Sequence, residues 1–158
     1  MNWGAPLGIR YSLEIFPTKL KDAIRTVALR YYENDKNIIH HLEYFLNQID
    51  QLAPPQRATY VMLDMDARHF FTDGERVNAI LDTEAYVLGP SELDLVALEF
   101  SFDQNGAQSF KKGYSSVIPF PELSRLREVY RFLFCLMEIK GPSFKLNHWI
   151  SKPYLFDL

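Results

Sequence analysis

The sequence contains a single cysteine, Cys135, among its 158 residues. One cysteine cannot form an intramolecular disulfide, so the fold has to be stable without one, as is typical of proteins in reducing compartments. Cys135 lies in an apolar run and is interpreted as a buried core residue. No apolar run reaches the roughly 20 residues that span a bilayer, and no signal-peptide pattern opens the chain. We therefore expect a soluble, cytoplasmic protein without a membrane partner.

Sequence motifs typical of catalytic or cofactor-binding sites are also lacking. The sequence has no glycine-rich phosphate loop, no Gly-x-Ser-x-Gly elbow and no Cys-x-x-Cys pair. His40 and His41 are adjacent on a predicted helix, where neighbouring side chains point about 100° apart, so they cannot bind one ion together with Glu43. These absences predict a protein that is not an enzyme and that binds no cofactor.

The composition is that of an ordinary folded domain. Hydrophobic residues make up 47% of the chain, aromatic residues 15% and charged residues 23%. A disordered chain would not carry so many aromatic side chains. The length predicts one globular domain over residues 1–158.

Hydrophobic periodicity predicts three main helices, at about residues 18–32, 37–52 and 122–140. Strict alternation predicts a strand at residues 8–16, and residues 58–66 have the pattern of a strand that runs into a loop. Because helices and strands do not alternate regularly, the predicted class is α+β, with an antiparallel sheet packed against the three helices.

Two further segments lie between these elements. Residues 93–120 are predicted to form a β-hairpin, because two alternating apolar runs flank Asn105-Gly106, a dipeptide that favours tight turns. Residues 73–84 are interpreted as a short helix carrying Val77, Ile80 and Leu81.

The sequence "YVMLDMDARHFFTDGE" places Asp64 and Asp66 one residue apart after an apolar run. Such a carboxylate pair can hold a divalent cation. The pattern resembles the nucleophile motif of haloacid-dehalogenase-like phosphotransferases. That family has small, hydroxyl-bearing or glycine residues after the second aspartate, whereas Ala67, Arg68 and His69 follow here. A divalent-metal-dependent enzyme using Asp64 and Asp66 is therefore the alternative hypothesis.

Charge is distributed unevenly along the chain. Residues 1–40 carry a net charge of +2 and residues 104–158 a net charge of +4. Residues 41–103 carry twelve acidic and three basic groups, a net charge of −9. These acids could pair with the flanking basic residues, or they could form an acidic face that attracts basic proteins and repels nucleic acid.

Basic residues in the last of the three helices could in principle bind RNA. Arg125, Arg127 and Arg131 alternate there with apolar residues. They are interpreted as a solvated helix face, and no nucleic-acid partner is expected.

The leading hypothesis is a small binding protein that neutralises a basic protein partner. Its most concrete form is an immunity protein that inhibits a cognate toxin, such as a nuclease, through an acidic face. A structural or homodimeric subunit is a further alternative. The predicted partner-binding residues are Asp64, Asp66, Asp73, Glu75, Asp82 and Glu84.

Overall fold

The computed structural model describes residues 16–55, 58–62, 65–83, 87–137 and 142–158. Within these ranges the fold is mixed, as the predicted α+β class requires. The helices are α1 (Phe16–Tyr31), α2 (Lys36–Ile49), α3 (Glu92–Ser101), α4 (Gln104–Ser115), α5 (Arg127–Met137) and α6 (Pro142–Ser151). The strands are β1 (Thr59–Val61), β2 (Phe70–Thr72), β3 (Val77–Ile80) and β4 (Val87–Gly89). None of the described helices has the length and apolar character needed to cross a membrane.

The three predicted helices correspond to α1, α2 and α5. Helix α2 begins one residue after Asp35, whose side chain accepts hydrogen bonds from the backbone N–H groups of Asn37 and Ile38. This is the N-cap arrangement that satisfies otherwise unpaired helix donors. Helix α5 begins at Arg127, later than predicted, because residues 124–126 form a turn. The predicted strand at residues 8–16 lies outside the described residues, except for Phe16, which begins α1.

The core lies between α1, α2, α3 and α5, and Leu146 and Trp149 of α6 pack into it. The rings of Phe45 on α2 and Phe132 on α5 are stacked, with centroids 4.3 Å apart. The Tyr32 hydroxyl, just after α1, donates a hydrogen bond of 3.0 Å to the buried carbonyl of Leu136. Cys135 is buried, as predicted.

The predicted hairpin at residues 93–120 is wrong, because this segment forms α3 and α4. Helix α3 is buried almost all round, so it has no polar face and its helical period is hidden. The predicted turn is the start of α4, where the Asp103 side chain accepts a hydrogen bond of 2.7 Å from the Gly106 N–H. An aspartate N-cap thus starts a helix where the asparagine-glycine pair predicts a turn.

The predicted helix at residues 73–84 is also wrong, since β3 lies within it. Strands β2 and β3 form an antiparallel hairpin in which Phe70 pairs with Ile80, Phe71 with Ala79 and Thr72 with Val77. The connecting turn contains Gly74 at φ 98°, a conformation that glycine adopts without strain. The second sheet pairs β1 with β4, also antiparallel. The described strands therefore form two small sheets in place of the single sheet that was predicted.

A buried ionic network joins α3 and α5. The guanidinium groups of Arg127 and Arg131 both contact the Glu99 carboxylate, at 2.9 and 3.0 Å, and all three side chains have exposures of 1% or less. The interpretation of Arg127 and Arg131 as a solvated face is therefore wrong, and only Arg125 of that set is exposed. Burial of the two arginines is compensated because Glu99 supplies a counter-charge between them.

The same network holds the last residues of the chain. Arg131 donates to the carbonyl oxygens of Lys152 and Pro153, and Arg127 donates to both carboxylate oxygens of Asp157, at 2.6 and 2.9 Å. Glu99 in turn accepts a hydrogen bond from the Phe156 N–H at 3.1 Å. The segment after α6 is thus attached to the core by polar contacts as well as by the buried Phe156 ring.

Candidate functional site

Four of the six predicted partner-binding acids lie on the β2–β3 hairpin or at its base. Asp66 precedes a 3₁₀ turn, Ala67–His69, that leads into β2. Asp73 and Glu75 lie in the turn between the strands, and Asp82 follows β3. Asp64 and Glu84 lie outside the described residues.

Asp66 is engaged by its neighbour Arg68. Its Oδ1 accepts hydrogen bonds of 2.8 Å from both the backbone N–H and the Nε of Arg68, and its Oδ2 accepts one of 3.0 Å from Nη2. These side-chain hydrogen bonds lower the pKa of Asp66 below its ordinary value. Because both of its oxygens already accept hydrogen bonds from Arg68, Asp66 is a poor ligand for a metal ion, and the Asp66–Arg68 pair has no net charge to offer a partner.

Asp73 organises the turn of the hairpin. Its Oδ1 accepts hydrogen bonds from the backbone N–H groups of Glu75 at 2.9 Å and Arg76 at 2.8 Å. The first of these is the largest cause of a lowered pKa for Asp73. The carboxylate is fully exposed to solvent, so it remains ionised at neutral pH and its charge is available at the surface.

Asp82 has an unusual backbone conformation at the base of the hairpin. Its φ of 59° makes it the only non-glycine residue with positive φ in the described part of the chain. Its Oδ2 lies 3.9 Å from Nε2 of His69, and the other ring nitrogen of His69 is buried without a hydrogen-bond partner among the described residues. Strained positions of this kind are frequent at functional sites.

The hairpin also exposes large apolar side chains, which the sequence reading did not predict. Phe70 is anchored against the rings of Phe102 and Phe110, each 6.3 Å away between centroids. Successive side chains of a strand point to opposite faces, and the next residue, Phe71, is 62% exposed. Val77 is 54% exposed on β3.

We refer to these groups together as the hairpin surface. Its apolar members are Phe71, Val77 and Leu81, together with Ile80, which pairs with Phe70 and therefore lies on the opposite face of the hairpin from Phe71. Its acidic members are Asp73, Glu75 and Asp82. The signal that could have located it is the Asp73-Gly74 dipeptide, which is typical of a hairpin turn between strands.

Other acids of the −9 segment have structural roles. Both oxygens of Asp94 accept the backbone N–H of Met62, at 3.0 Å each. Glu99 is buried between arginines, Asp103 caps α4 and Asp50 pairs with Lys21. The negative charge that this segment exposes to solvent is therefore smaller than its formal net charge of −9. Part of the exposed charge lies on the hairpin.

The described residues contain no group of three or more histidine, cysteine, aspartate or glutamate side chains placed to hold a metal ion. His69 and Asp82 are thus two candidate ligands without a third in that part of the chain.

No protein-family model matches the chain, and neither the curated proteins nor the solved structures compared with it gave a match. The function has to be inferred from the geometry of the chain's own residues.

Proposed function

We propose that this protein is a non-catalytic binding protein whose target is a basic protein, and that it binds the target through the hairpin surface. The observation that carries the proposal is the set of exposed apolar side chains on one small hairpin whose turn and base carry acids. Scattered exposed apolar residues are common, but a group of them framed by polar residues is typical of an interaction site.

The two kinds of side chain have separate roles in this proposal. Phe71 and Val77 supply the apolar area that is removed from water at the centre of an interface, where aromatic residues are enriched. Asp73, Glu75 and Asp82 surround them with negative charge, which raises the rate of encounter with a basic partner and disfavours acidic ones.

The most concrete form of the proposal is an immunity protein that inhibits a cognate toxin, such as a nuclease. The active site of a nuclease has to attract a polyanion and is therefore basic. An acidic, partly apolar hairpin can cover such a site. A cytoplasmic location is part of this proposal, and a single, buried cysteine, Cys135, is compatible with a reducing environment.

Burial of the central arginines supports a protein target over a nucleic acid. Arg127 and Arg131 are enclosed by Glu99 and the C-terminal segment, so they cannot contact phosphates. A phosphate-binding surface would need exposed basic side chains in a cluster.

The test uses an apolar residue of the hairpin surface. The partner is first captured from the native source at low salt, eluted by raising the salt concentration and purified. We expect Phe71→Ser to weaken its binding at least tenfold in isothermal titration calorimetry, because the exposed ring is an anchor, and tenfold corresponds to about 1.4 kcal/mol.

Leu29→Ser is the matched control, since Leu29 is an apolar residue that is 49% exposed on α1, an element that is not part of the hairpin. Both variants should unfold at nearly the same temperature as the wild type, because neither residue is buried. Equal affinities for the wild type and Phe71→Ser would contradict the proposal.

A second candidate function is divalent-cation-dependent chemistry at the base of the hairpin. The positive φ of Asp82 and its 3.9 Å approach to His69 favour this candidate. A histidine nitrogen and carboxylate oxygens are suitable ligands for ions such as Mn²⁺. Asp66, which the alternative hypothesis from the sequence places at a metal together with Asp64, is the weaker ligand because of Arg68.

This candidate predicts a metal-dependent rise in melting temperature. Mn²⁺ at a hundred times its dissociation constant would stabilise the folded protein by about 2.7 kcal/mol. Asp82→Asn should abolish the rise, and asparagine tolerates the left-handed backbone at this position. Differential scanning fluorimetry with Asp22→Asn, an exposed aspartate of α1, provides the control. An equal rise in the Asp82→Asn and control variants would exclude a site at Asp82.

A further inference from the structure

Strand β3 has an edge without a partner in the described part of the chain. Its sheet there consists of β2 and β3 alone, so β3 is paired on one side only. All four residues of β3 are exposed. An exposed strand edge presents a row of unpaired N–H and C=O groups that can pair with another chain.

The ladder identifies which backbone groups point outward. The Leu81 N–H donates to the His69 carbonyl at 2.8 Å, which places these two residues at a hydrogen-bonded position of the ladder, although the His69 N–H itself donates to the Asp66 carbonyl at 3.0 Å. In an antiparallel ladder such pairs alternate with pairs whose backbone groups face away from each other. Ile80, opposite Phe70, belongs to the second kind. Its N–H and C=O therefore point toward the open side of the hairpin.

The charges beside this edge indicate which kind of segment can pair with it. Asp73 and Glu75 precede β3 in the turn and Asp82 follows it, whereas Arg76 is the one basic residue between them. An extended segment that carries lysine or arginine complements this edge. A second copy of the chain, paired β3 to β3, would bring a further set of the same acids to the edge.

We infer that the partner docks by strand addition, with a basic extended segment pairing along the open edge of β3. The inference rests on the proposed function and specifies its binding mode. In this mode the main-chain hydrogen bonds supply affinity, while the charges and the apolar side chains of the hairpin surface supply specificity.

The test uses a blocked ten-residue peptide of alternating lysine and valine as the probe, at low salt, with binding to the full chain measured by fluorescence anisotropy. The comparison peptide has the same sequence but N-methylated amides at its four central residues. Methylation leaves charge and side chains unchanged and removes the donors that a strand needs. We expect the methylated peptide to bind at least tenfold more weakly.

Two protein variants test the same backbone hydrogen bonds by changing β3 and leaving the peptide unchanged. Ile80→Pro removes the outward N–H, and proline is tolerated at an edge position whose N–H faces solvent. Ile80→Ala removes the side chain and keeps the N–H. Ile80→Pro should weaken binding of the unmethylated peptide at least tenfold, while Ile80→Ala should weaken it less.

Equal binding of the two peptides would overturn strand addition and leave the proposed function standing, because side chains alone would then account for the attraction. Failure of the unmethylated peptide to bind would also overturn strand addition. The proposed function would still be tested separately, by the affinity of Phe71→Ser for the purified partner. Sedimentation velocity tests the remaining alternative. If the wild type self-associates and Ile80→Pro abolishes the self-association, the edge pairs with a second copy of the chain, and the inference of a basic segment at this edge is wrong.

Discussion

Replacing Glu99 by glutamine is expected to lower the free energy of unfolding by about 3–5 kcal/mol, the cost typical of breaking a buried ion pair by removing one partner. Glu99 is fully buried and contacts both Arg127 and Arg131. Glutamine keeps the size of the side chain but removes its charge. Arg127 would then keep the half-exposed Asp157 as a carboxylate partner, whereas Arg131 would keep the backbone carbonyl oxygens of Trp149, Lys152 and Pro153 as its acceptors.

Chemical denaturation in urea measures this effect, with Glu92→Gln as the control. Glu92 lies in the first turn of the same helix, where a carboxylate interacts with the helix dipole and its loss costs about 0.3–1 kcal/mol. A Glu99→Gln variant as stable as the Glu92→Gln variant would show that the two arginines do not depend on this carboxylate.

Combining Glu99→Leu with Arg131→Met should destabilise the protein less than the sum of the two single changes. Glu99→Leu leaves the buried Arg131 without its counter-charge, and Arg131→Met leaves the buried Glu99 with Arg127 as its counter-charge, whereas the double change removes both members of the pair. Strict additivity of the three free energies would argue against a direct Glu99–Arg131 interaction.

The helices that pack with one face inward were predictable from the sequence. Ile38, Leu42, Phe45, Leu46 and Ile49 recur at helical spacing in α2, and all of them are buried. The Asp35 cap marks the start of this helix, so pattern and capping agree. Helix α5 was recognised by the same periodicity, although its start was placed too early.

Helices α3 and α4 were missed for physical reasons. In α3, all positions from Leu95 to Glu99 are buried. Because apolar residues are not confined to one face, the sequence shows no helical period, and the apolar residues at every second position resemble a strand. In α4, the residues at helical spacing are Ala107, Phe110 and Tyr114. The Asn105-Gly106 pair in the first turn of α4 is typical of a hairpin turn, so the local sequence predicts the wrong element there.

The candidate site was predictable only in part. The sequence indicates where acids are concentrated, but not which of them are already paired. Asp66 is bound by Arg68 and Glu99 is buried, whereas Asp73 and Glu75 are exposed. The exposed state of Phe71 was unpredictable as well, because Phe70 beside it is anchored against aromatic rings and only the strand geometry separates the two.

Reversing the summed charge of the three acidic members of the hairpin surface, from −3 to +1, is expected to slow association with the basic partner about tenfold to a hundredfold at low salt, within the range typical of electrostatic steering. The variant combines Asp73→Asn, Glu75→Lys and Asp82→Asn. Asparagine at position 73 keeps an oxygen that can accept the hydrogen bonds of the turn, and asparagine at position 82 tolerates positive φ. The dissociation rate should change much less, because these charges are exposed.

The control variant carries the same change in net charge at exposed positions of α1, α2 and the loop between them. It combines Asp22→Asn, Glu33→Lys and Glu43→Gln. Any effect of overall charge on the association rate will appear in both variants, so the difference between them isolates the hairpin surface.

The most direct test is stopped-flow measurement of the association rate with the purified partner, for the wild type and both variants, over a series of salt concentrations. The proposal predicts a wild-type rate that falls steeply as salt rises, a hairpin variant that is slow and nearly independent of salt, and a control variant close to the wild type. Equal rates and equal salt dependence for the hairpin and control variants would contradict binding through the hairpin surface.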